Sequence, residues 1–433
     1  MSYFGSTMPF PTLRPERLFA LVLFFLWSGC TGVSRVNDAD ELDRGPTVIL
    51  VSLDGVRWDY FEKYDAPYLD MLAADGVRAE RLTPVFPTTT FPNHYSVVTG
   101  LYPENHGIIS NNIYDPDIDG RFSLSNQDAI VDPRWWEGEP LWVTAEKQRQ
   151  IAATYFWPGS EAPIQDVRPT YWRKYDGRIP GEERVSQVLD WLDLPSDQRP
   201  SLITLYFSET DGAGHRHGPD SPEVADALRA VDAHVGLLVD GLRQREILDD
   251  VDIIVMSDHG MAATSEDRVI IIDAFFDPGS ANIVDFGPAI MMYPPDHVDQ
   301  DSLVGALDAH PQVDAYTKEN IPDRFHIADH RRTPPIMALA DEGWTFSTRE
   351  RYDESPARYN GGSHGYDNDL ESMGGIFIAR GPSFRRGATV GPFENIHIYE
   401  MVCSILGLEP AANDGSLNAV ADILAFTSAD AQP

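Results

Sequence analysis

The chain has 433 residues, which is enough for a large α/β domain that carries an insertion. Lysine and arginine total 33, aspartate and glutamate total 68, and the formal net charge is −35. This acidity argues against binding duplex nucleic acid or an anionic membrane surface through a basic face. It leaves a phosphate substrate open, because bound divalent cations reverse the sign of the field within one cleft.

The N-terminal segment has the layout of a secretory signal. Arg14 and Arg17 precede a short apolar run at residues 18–27, which small residues follow. The run is too short to span a bilayer comfortably. We therefore predict a signal peptide over residues 1–30, a polar tether over residues 31–46, and export to the periplasm or cell envelope.

The chain has two cysteines, and we predict different roles for them. Ser28-Gly29-Cys30 resembles a bacterial lipoprotein processing box, in which Cys30 would become the lipid anchor. Trp27 stands where that motif prefers leucine, so ordinary signal cleavage is the alternative. Cys403 lies in an apolar helical pattern and is predicted to be a buried core residue, which leaves the mature chain without a disulfide.

Apolar runs typical of buried strands alternate with helical patterns along the chain. The predicted strands lie at residues 47–53, 151–157, 201–208, 251–256 and 374–379. The predicted helices lie at residues 60–75, 181–192, 222–248 and 395–406. This alternation predicts a mostly parallel central sheet with helices on both faces. Residues 262–353 are less regular and are predicted to form an inserted lid, and residues 408–433 a C-terminal tail.

Three consecutive threonines end at Thr90 and precede a predicted helix. Pro92 suits the first position of that helix, and Gly100 can end it. A helix N-terminus favours negative charge, so a threonine hydroxyl placed there is a candidate nucleophile. A plain helix cap is the alternative for such a threonine.

Residues 115–120, DPDIDG, look like the opening of a calcium loop. The twelfth position of such a loop should be glutamate, and here it is Asn126. A turn is therefore predicted in place of a calcium site.

Three aspartates lie just beyond the ends of predicted strands, at Asp54, Asp211 and Asp258. Ligands of open α/β sheets bind at that edge, so the three carboxylates are expected to converge on one cleft. A single carboxylate after a strand is more often a helix cap or a turn former. The occurrence of three such carboxylates favours a site.

Three histidines accompany the aspartates. His259 adjoins Asp258, and His215 follows Asp211 by four residues, close enough to face the same point. His364 lies in the glycine-rich loop GGSHGYDN. Each histidine alone is more often a surface or core residue, but aspartate oxygens together with histidine nitrogens suit zinc.

The runs VILVSLDG, FPTTTFPNHYSVVTGLYPENHGI, DGAGHRHGP, SDHGM and GGSHGYDN resemble the bacterial nucleotide pyrophosphatase/phosphodiesterase family of the alkaline phosphatase superfamily. The resemblance covers about residues 47–407, which it identifies as a phosphodiesterase catalytic domain. It implies an alkaline-phosphatase-like α/β fold with an inserted capping region, two zinc ions per chain and a threonine nucleophile, Thr90.

The resemblance also assigns the residues of the site. One zinc ion, beside Thr90, would be held by Asp54, Asp258 and His259. The other would be held by Asp211, His215 and His364. The position whose side-chain amide donates to a phosphate oxygen is Asn111. The aromatic pair that sandwiches a nucleobase is Phe91 and Tyr175, and Leu124 is expected to line the same slot.

The implied function is hydrolysis of nucleotide phosphodiester and pyrophosphate bonds to nucleoside 5′-monophosphates through a nucleotidyl-Thr90 intermediate. The nearest alternative is a phosphodiesterase for lipid head groups such as choline esters, which would lack the base slot. A phosphomonoesterase would need extra positive charge, and a sulfatase would need Cys or Ser at position 90. A catalytically inactive envelope binding protein is the alternative from another class, and no protein partner is predicted.

Overall fold

The computed structural model describes residues 45–425 of the chain. The predicted signal peptide, the candidate anchor Cys30 and nearly all of the tether lie outside the described residues. Within them, no helix is long and apolar enough to cross a membrane.

The strands of the described chain are mostly short. The first ten are β1 (Thr47–Leu53), β2 (Val77–Ala79), β3 (Leu82–Thr83), β4 (Asn112–Asp115), β5 (Gly120–Ser123), β6 (Ala152–Tyr155), β7 (Tyr171–Arg173), β8 (Leu202–Phe207), β9 (Val251–Met256) and β10 (Ala262–Thr264). They are followed by β11 (Val269–Ile271), β12 (Asn282–Asp285), β13 (Ala289–Tyr293), β14 (Val313–Thr317), β15 (Ile336–Ala340), β16 (Thr345–Ser347), β17 (Gly361–Ser363), β18 (Phe377–Arg380), β19 (Ala388–Val390) and β20 (Phe393–Glu394).

The helices range from single turns to the long α9. They are α1 (Tyr60–Lys63), α2 (Pro67–Asp75), α3 (Thr90–Thr99), α4 (Pro103–His106), α5 (Gln127–Ile130), α6 (Leu141–Lys147), α7 (Gly181–Leu192), α8 (Glu209–His217), α9 (Pro222–Gln244), α10 (Gln300–Asp308), α11 (Arg349–Glu354) and α12 (His397–Leu406). Short 3-10 helices lie at Pro133–Trp135, Ile272–Ala274, Pro278–Ser280, Lys318–Asn320, Asp323–Phe325, Pro356–Tyr359, Glu371–Met373 and Leu417–Val420.

An eight-stranded sheet in the order β19-β2-β18-β9-β1-β8-β6-β7 forms the centre of the fold. β1 pairs in parallel with both β8 and β9, and β18 runs antiparallel to its two neighbours. Successive residues of β1 point into different cores: Val48 and Leu50 pack in one, and Ile49 and Val51 pack in the other. The predicted fold class, a mostly parallel sheet covered on both faces, is confirmed.

Several predicted elements differ from the structure: the strand predicted at residues 374–379 is Phe377–Arg380, and the helix predicted at residues 222–248 ends at Gln244. The helix predicted at residues 60–75 is two helices, because Pro67 starts the second and the residue before a proline avoids the helical region. The strand predicted at residues 151–157 is only four residues long. Cys403 is buried in α12 as predicted.

The region predicted as an insertion contains a second sheet, in the order β12-β13-β15-β14. Its apolar side packs against α10 through Leu303 and Leu307, which are fully buried with residues such as Ile290. The residues predicted as a C-terminal tail are packed as far as position 425, since Val420 and Ile423 are buried in the same core as α12.

Candidate functional site

Helix α3 begins at Thr90, so this threonine is the one placed at the helix N-terminus. Pro92 is the third helical residue and not the first as predicted, which is tolerated because N–H groups of the first turn have no intrahelical partner. Gly100 ends the helix in the left-handed region, with φ 67°, as predicted. The Thr90 Oγ1 atom lies 3.4 Å from Nε2 of His259.

Asp54, Asp258 and His259 meet where the parallel neighbours β1 and β9 end. One ligand atom from each of the three lies within 4.8 Å of the others. Nε2 of His259 is 3.1 Å from an oxygen of Asp258 and 3.5 Å from one of Asp54. All three side chains are buried, so the structure brings the first predicted ligand group together next to Thr90.

Asp211, His215 and His364 form a second group, whose ligand atoms also lie within 4.8 Å of one another. Asp211 and His215 are one turn apart on α8, and Nε2 of His215 is 3.3 Å from an Asp211 oxygen. His364 follows β17 and brings its Nε2 atom within 3.6 Å of that oxygen and 3.1 Å of Nε2 of His215. The second predicted ligand group is therefore also assembled.

Two glycines allow these groups to come so close. A Cβ atom on Gly55 would lie 2.8 Å from Cα of Asp211, and this glycine has φ +70°, which side chains disfavour. A Cβ atom on Gly361 would lie 2.2 Å from the carbonyl oxygen of His215. The glycines of the LDG and GGSHG motifs therefore let backbone pass against α8 beside the site.

The three ligand histidines are oriented by backbone carbonyl groups. Nδ1 of His259 lies 2.9 Å from the Gly260 carbonyl, Nδ1 of His215 lies 3.0 Å from the Gly362 carbonyl, and Nδ1 of His364 lies 2.8 Å from the Thr88 carbonyl. A carbonyl can only accept, so each Nδ1 must donate. Each Nε2 then presents a lone pair to its cluster, which is the tautomer that a metal-ligating histidine needs.

The carboxylates also fit a metal. Asp54 Oδ1, Asp211 Oδ1 and Asp258 Oδ2 are buried and have no hydrogen-bond partner. A buried polar atom without a partner is costly, and a bound cation would satisfy all three atoms. Oxygen and nitrogen donors in groups of three match the three protein ligands of a catalytic zinc site.

The raised pKa values of the carboxylates in the first group also favour a bound cation. Burial, and then the charge of Asp211, raise the pKa of Asp258 to about 8, while burial followed by Asp258 and Asp211 raise the pKa of Asp54 well above its usual range. Crowded, desolvated carboxylates of this kind are stabilised by a cation.

Two residues that contact the first group had no role assigned from the sequence. The Tyr206 hydroxyl donates to Oδ2 of Asp54 at 2.5 Å. His94 lies within α3, with Nδ1 3.3 Å from an Asp258 oxygen and Nε2 2.8 Å from the hydroxyl of Ser52. Tyr206 resembled an apolar strand residue, but a buried tyrosine hydroxyl needs a partner, and that was the available signal.

Phe91, Tyr175 and Leu124 line one cavity of about 250 Å³ that reaches Thr90 and Asp54. The backbone from which the Tyr175 ring projects is fixed, since Tyr175 N–H donates to the buried carboxylate of Glu161 at 3.0 Å. Tyr175 and Leu124 are about half exposed, at 50% and 47%. Large apolar side chains left open around one cavity indicate a ligand with an apolar face.

Asn111 lines a second cavity of about 240 Å³ together with His215 and His364, and Leu124 lines both cavities. The amide oxygen of Asn111 accepts from the backbone N–H of Phe91 at 2.9 Å. A backbone N–H can only donate, so this contact fixes which end of the amide faces Phe91. The amide nitrogen Nδ2 of Asn111, which is a donor, is therefore the end that does not face Phe91 N–H.

Asp115 contributes to a turn and an ion pair. Its Oδ1 accepts from the N–H groups of Asp117 and Ile118, and its Oδ2 accepts from the fully buried guanidinium of Arg332 at 2.5 Å. This agrees with the predicted turn, and the carboxylate is not available to a calcium ion.

Residues 48–367 match the protein family described as type I phosphodiesterase / nucleotide pyrophosphatase. The chain is 42% identical over 384 residues to venom phosphodiesterase CdcPDE of Crotalus durissus collilineatus, an alignment that covers 85% of this chain and 45% of that protein. It is 39% identical over 400 residues to ectonucleotide pyrophosphatase/phosphodiesterase family member 1 of Mus musculus, covering 89% and 43%. The chain thus spans less than half the length of these relatives.

Solved structures of ectonucleotide pyrophosphatase/phosphodiesterases are also similar to this chain. Murine ectonucleotide pyrophosphatase/phosphodiesterase 5, as an inactive threonine-to-alanine variant in complex with AMP, superposes with a TM-score of 0.83 at 36% identity. The match covers 88% of this chain and all of that one. The human counterpart has the same TM-score at 34% identity. The relatives described here are animal proteins, so the predicted bacterial origin stays a prediction.

Proposed function

This chain belongs to the type I phosphodiesterase/nucleotide pyrophosphatase family, as its motifs predicted, and we propose that it hydrolyses nucleotide phosphodiester and pyrophosphate bonds to nucleoside 5′-monophosphates. One observation carries the proposal: two groups of metal-ligand side chains converge beside Thr90, and an aromatic-lined cavity opens from the same point. The AMP complex of a related structure supports a nucleotide as the ligand of that cavity.

Two zinc ions are proposed as the cofactors. The first would be held by Asp54, Asp258 and His259, and the second by Asp211, His215 and His364. When bound, they would neutralise charge on the phosphate and lower the pKa of the attacking hydroxyl.

Thr90 is the proposed nucleophile. Its oxygen attacks phosphorus, the bond to the leaving group breaks, and the nucleotide stays on Thr90 as an ester. Water then cleaves that ester, releasing the nucleoside 5′-monophosphate and restoring the threonine hydroxyl. The inactive threonine-to-alanine variant of the related murine protein supports a threonine in this role.

Asn111 is proposed to donate from Nδ2 to a non-bridging oxygen of the phosphate, because its Oδ1 is already held by Phe91 N–H. A fixed donor of this kind stabilises charge in the transition state. Phe91 and Tyr175 are proposed to stack on the base, with Leu124 beside them. The nucleotide is proposed to occupy the cavity lined by Phe91 and Tyr175, and the leaving group the cavity lined by Asn111.

The charge of the site favours diesters over monoesters. Among the described residues that line the two cavities, none is lysine or arginine. A phosphate monoester carries a second negative charge that would need such a partner. A diester carries a single charge, which the proposed cations and Asn111 can accommodate.

Three chromogenic substrates test the proposal. We expect p-nitrophenyl thymidine 5′-monophosphate to be hydrolysed far better than p-nitrophenyl phosphate or p-nitrophenyl phosphocholine, because only the first has a base and a single phosphate charge. Preference for the phosphocholine ester would support the lipid head-group alternative. No turnover of any of the three by zinc-loaded protein would support the inactive binding protein.

Export is proposed from the N-terminal sequence. The similarity to a venom phosphodiesterase and to an ectonucleotide pyrophosphatase/phosphodiesterase supports a protein that works outside the cytoplasm. Mass spectrometry of the mature N-terminus would separate a lipid-modified Cys30 from simple cleavage nearby.

A further inference from the structure

The loop that carries Asn111 is held by a carboxylate from the second sheet. Asp285, the last residue of β12, accepts a hydrogen bond on Oδ2 from the hydroxyl of Ser110. Its Oδ1 accepts from the side-chain amide of Asn112 at 2.9 Å. Asp285 therefore binds the residues on both sides of Asn111 at once.

The local structure of the second sheet directs Asp285 toward the loop. The pairing of β12 with β13 shifts its register between Ile283 and Asp285, which marks a β-bulge. Bulges change the direction in which a side chain points. The N–H of Phe286 also donates to Oδ1 of Asp285 at 2.9 Å, so the carboxylate is fixed from its own strand as well.

The segment after Asp285 is tied to β15 of the second sheet and to β16. The carbonyl of Gly287 accepts from Phe346 N–H at 3.0 Å, and the carbonyl of Pro288 accepts from Ala340 N–H at 2.8 Å. The Asp285 carboxylate is therefore followed by a segment whose backbone is fixed by hydrogen bonds. Asp285 belongs to neither metal-ligand group and is separated from Ser110 by 175 positions in the sequence.

We propose that Asp285 is a positioning residue, which holds Ser110 and Asn112 so that the Asn111 amide stays aimed at the phosphate oxygen. The inference rests on the proposed role of Asn111. It gives the second sheet a part in the chemistry: Phe91 N–H fixes the amide oxygen of Asn111, and Asp285 fixes the backbone from which that amide projects.

A double-mutant cycle tests this coupling. Loss of one fixed donor to a developing oxyanion costs about 100- to 1,000-fold in kcat, so we expect Asn111→Ala to lose about 100-fold. Asp285→Ala loosens the donor without removing it, and we expect roughly a tenfold loss in kcat with little change in KM. In the Asn111→Ala background, Asp285→Ala should cost less than about twofold, because the group it positions is absent.

Controls separate positioning from general damage. Asp285→Asn keeps the shape and one acceptor oxygen, so its kcat should lie between wild type and Asp285→Ala. Asp273→Ala removes a carboxylate of the same region that accepts from Arg349 N–H, and it should leave kcat and zinc content unchanged. Should Asp285→Ala not fold, the double variant Ser110→Ala/Asn112→Ala removes the same two contacts from the other side and takes its place in the cycle.

Each outcome has one meaning. If Asp285→Ala lowers kcat only when Asn111 is present, Asp285 is established as a positioning residue. Equal losses with and without Asn111 overturn the inference, because Asp285 would then act on the leaving-group cavity or the fold. A normal Asp285→Ala enzyme beside a damaged Asn111→Ala enzyme overturns the inference and leaves the proposed function standing. A normal Asn111→Ala enzyme refutes the proposed role of Asn111, and the inference with it.

Discussion

The proposed reactivity of Thr90 rests on its position at the first turn of α3. Unpaired N–H groups of that turn favour negative charge on nearby oxygen, and Nε2 of the ligand His259 lies 3.4 Å from its hydroxyl. Its neighbour Thr89 is the N-cap of the same helix and lines the cavity that contains Asn111. Two adjacent threonines therefore have different predicted roles.

Thr90→Ala should lower kcat for a nucleotide diester by about a thousandfold or more, because the covalent route is lost. Zinc content and thermal stability should be close to those of wild type, since a single hydroxyl is a small part of the site. Steady-state hydrolysis and elemental analysis provide the measurements. Thr89→Ala makes the same chemical change one residue earlier and should be far less damaging. Near-normal turnover by Thr90→Ala would remove this residue from the nucleophile role.

Tyr175→Ala tests recognition of the base separately from the chemistry. Stacking on an aromatic ring contributes about 1–3 kcal/mol per base, which corresponds to roughly ten- to a hundredfold in kcat/KM. We expect that loss for nucleotide diesters and a much smaller one for bis-p-nitrophenyl phosphate, which has no base. Equal losses on both substrates would show that Tyr175 supports the fold or the ligand groups and would strengthen the lipid head-group alternative.

At the scale of elements, Arg332 joins the segment between β14 and β15 of the second sheet to the loops beside the site. Its guanidinium is fully buried and donates to Asp115 and to the carbonyls of Gly107, Arg134 and Trp135. Burial alone would raise the pKa of Asp115, but the hydrogen bond from Arg332, followed by those from the backbone, lower it to about 2.

This ion pair predicts an acid-dependent loss of stability. The folded pKa of Asp115 is below its unfolded value, so its contribution is present above about pH 4 and is lost as the pH falls toward 2. About 1 kcal/mol should disappear between pH 5 and pH 3. Urea unfolding at pH 5 and pH 3 gives the free energy of unfolding of the wild type and of Asp115→Asn. The difference between the two proteins should be smaller at pH 3. Asp117→Asn, which alters an exposed carboxylate of the same turn, is the control, and a difference that stays constant with pH would contradict the prediction.

The sequence predicted the elements whose pattern is local. β1 and β9 were predicted to the residue, because each is a continuous apolar run, and their ends located Asp54 and Asp258. Tyr206 was missed because it lies inside such a run, and His94 because its partners come from other elements. Asp285 could not be found from the sequence, since its contact with Asn112 joins residues 173 positions apart at a bulge that no local pattern marks.

At the scale of the whole molecule, the two candidate ligand groups combine residues from several distant elements. Their members come from the ends of β1 and β9, from α8 and from the loop after β17. Each proposed zinc site has three protein ligands, so loss of one should empty or weaken that site and spare the other. His364→Ala should therefore lower zinc from about two ions per chain toward one, as measured by elemental analysis, whereas His397→Ala, a histidine outside both groups, should keep two. Two zinc ions retained by His364→Ala would contradict the assignment of the second group.

Metal removal and restoration test the central claim most directly. The protein should be treated with a chelator, shown by elemental analysis to be free of zinc, and assayed with p-nitrophenyl thymidine 5′-monophosphate before and after zinc is returned. The account predicts that turnover falls to background without the metal and returns as about two zinc ions bind per chain. Undiminished turnover by folded protein that contains no metal would contradict it.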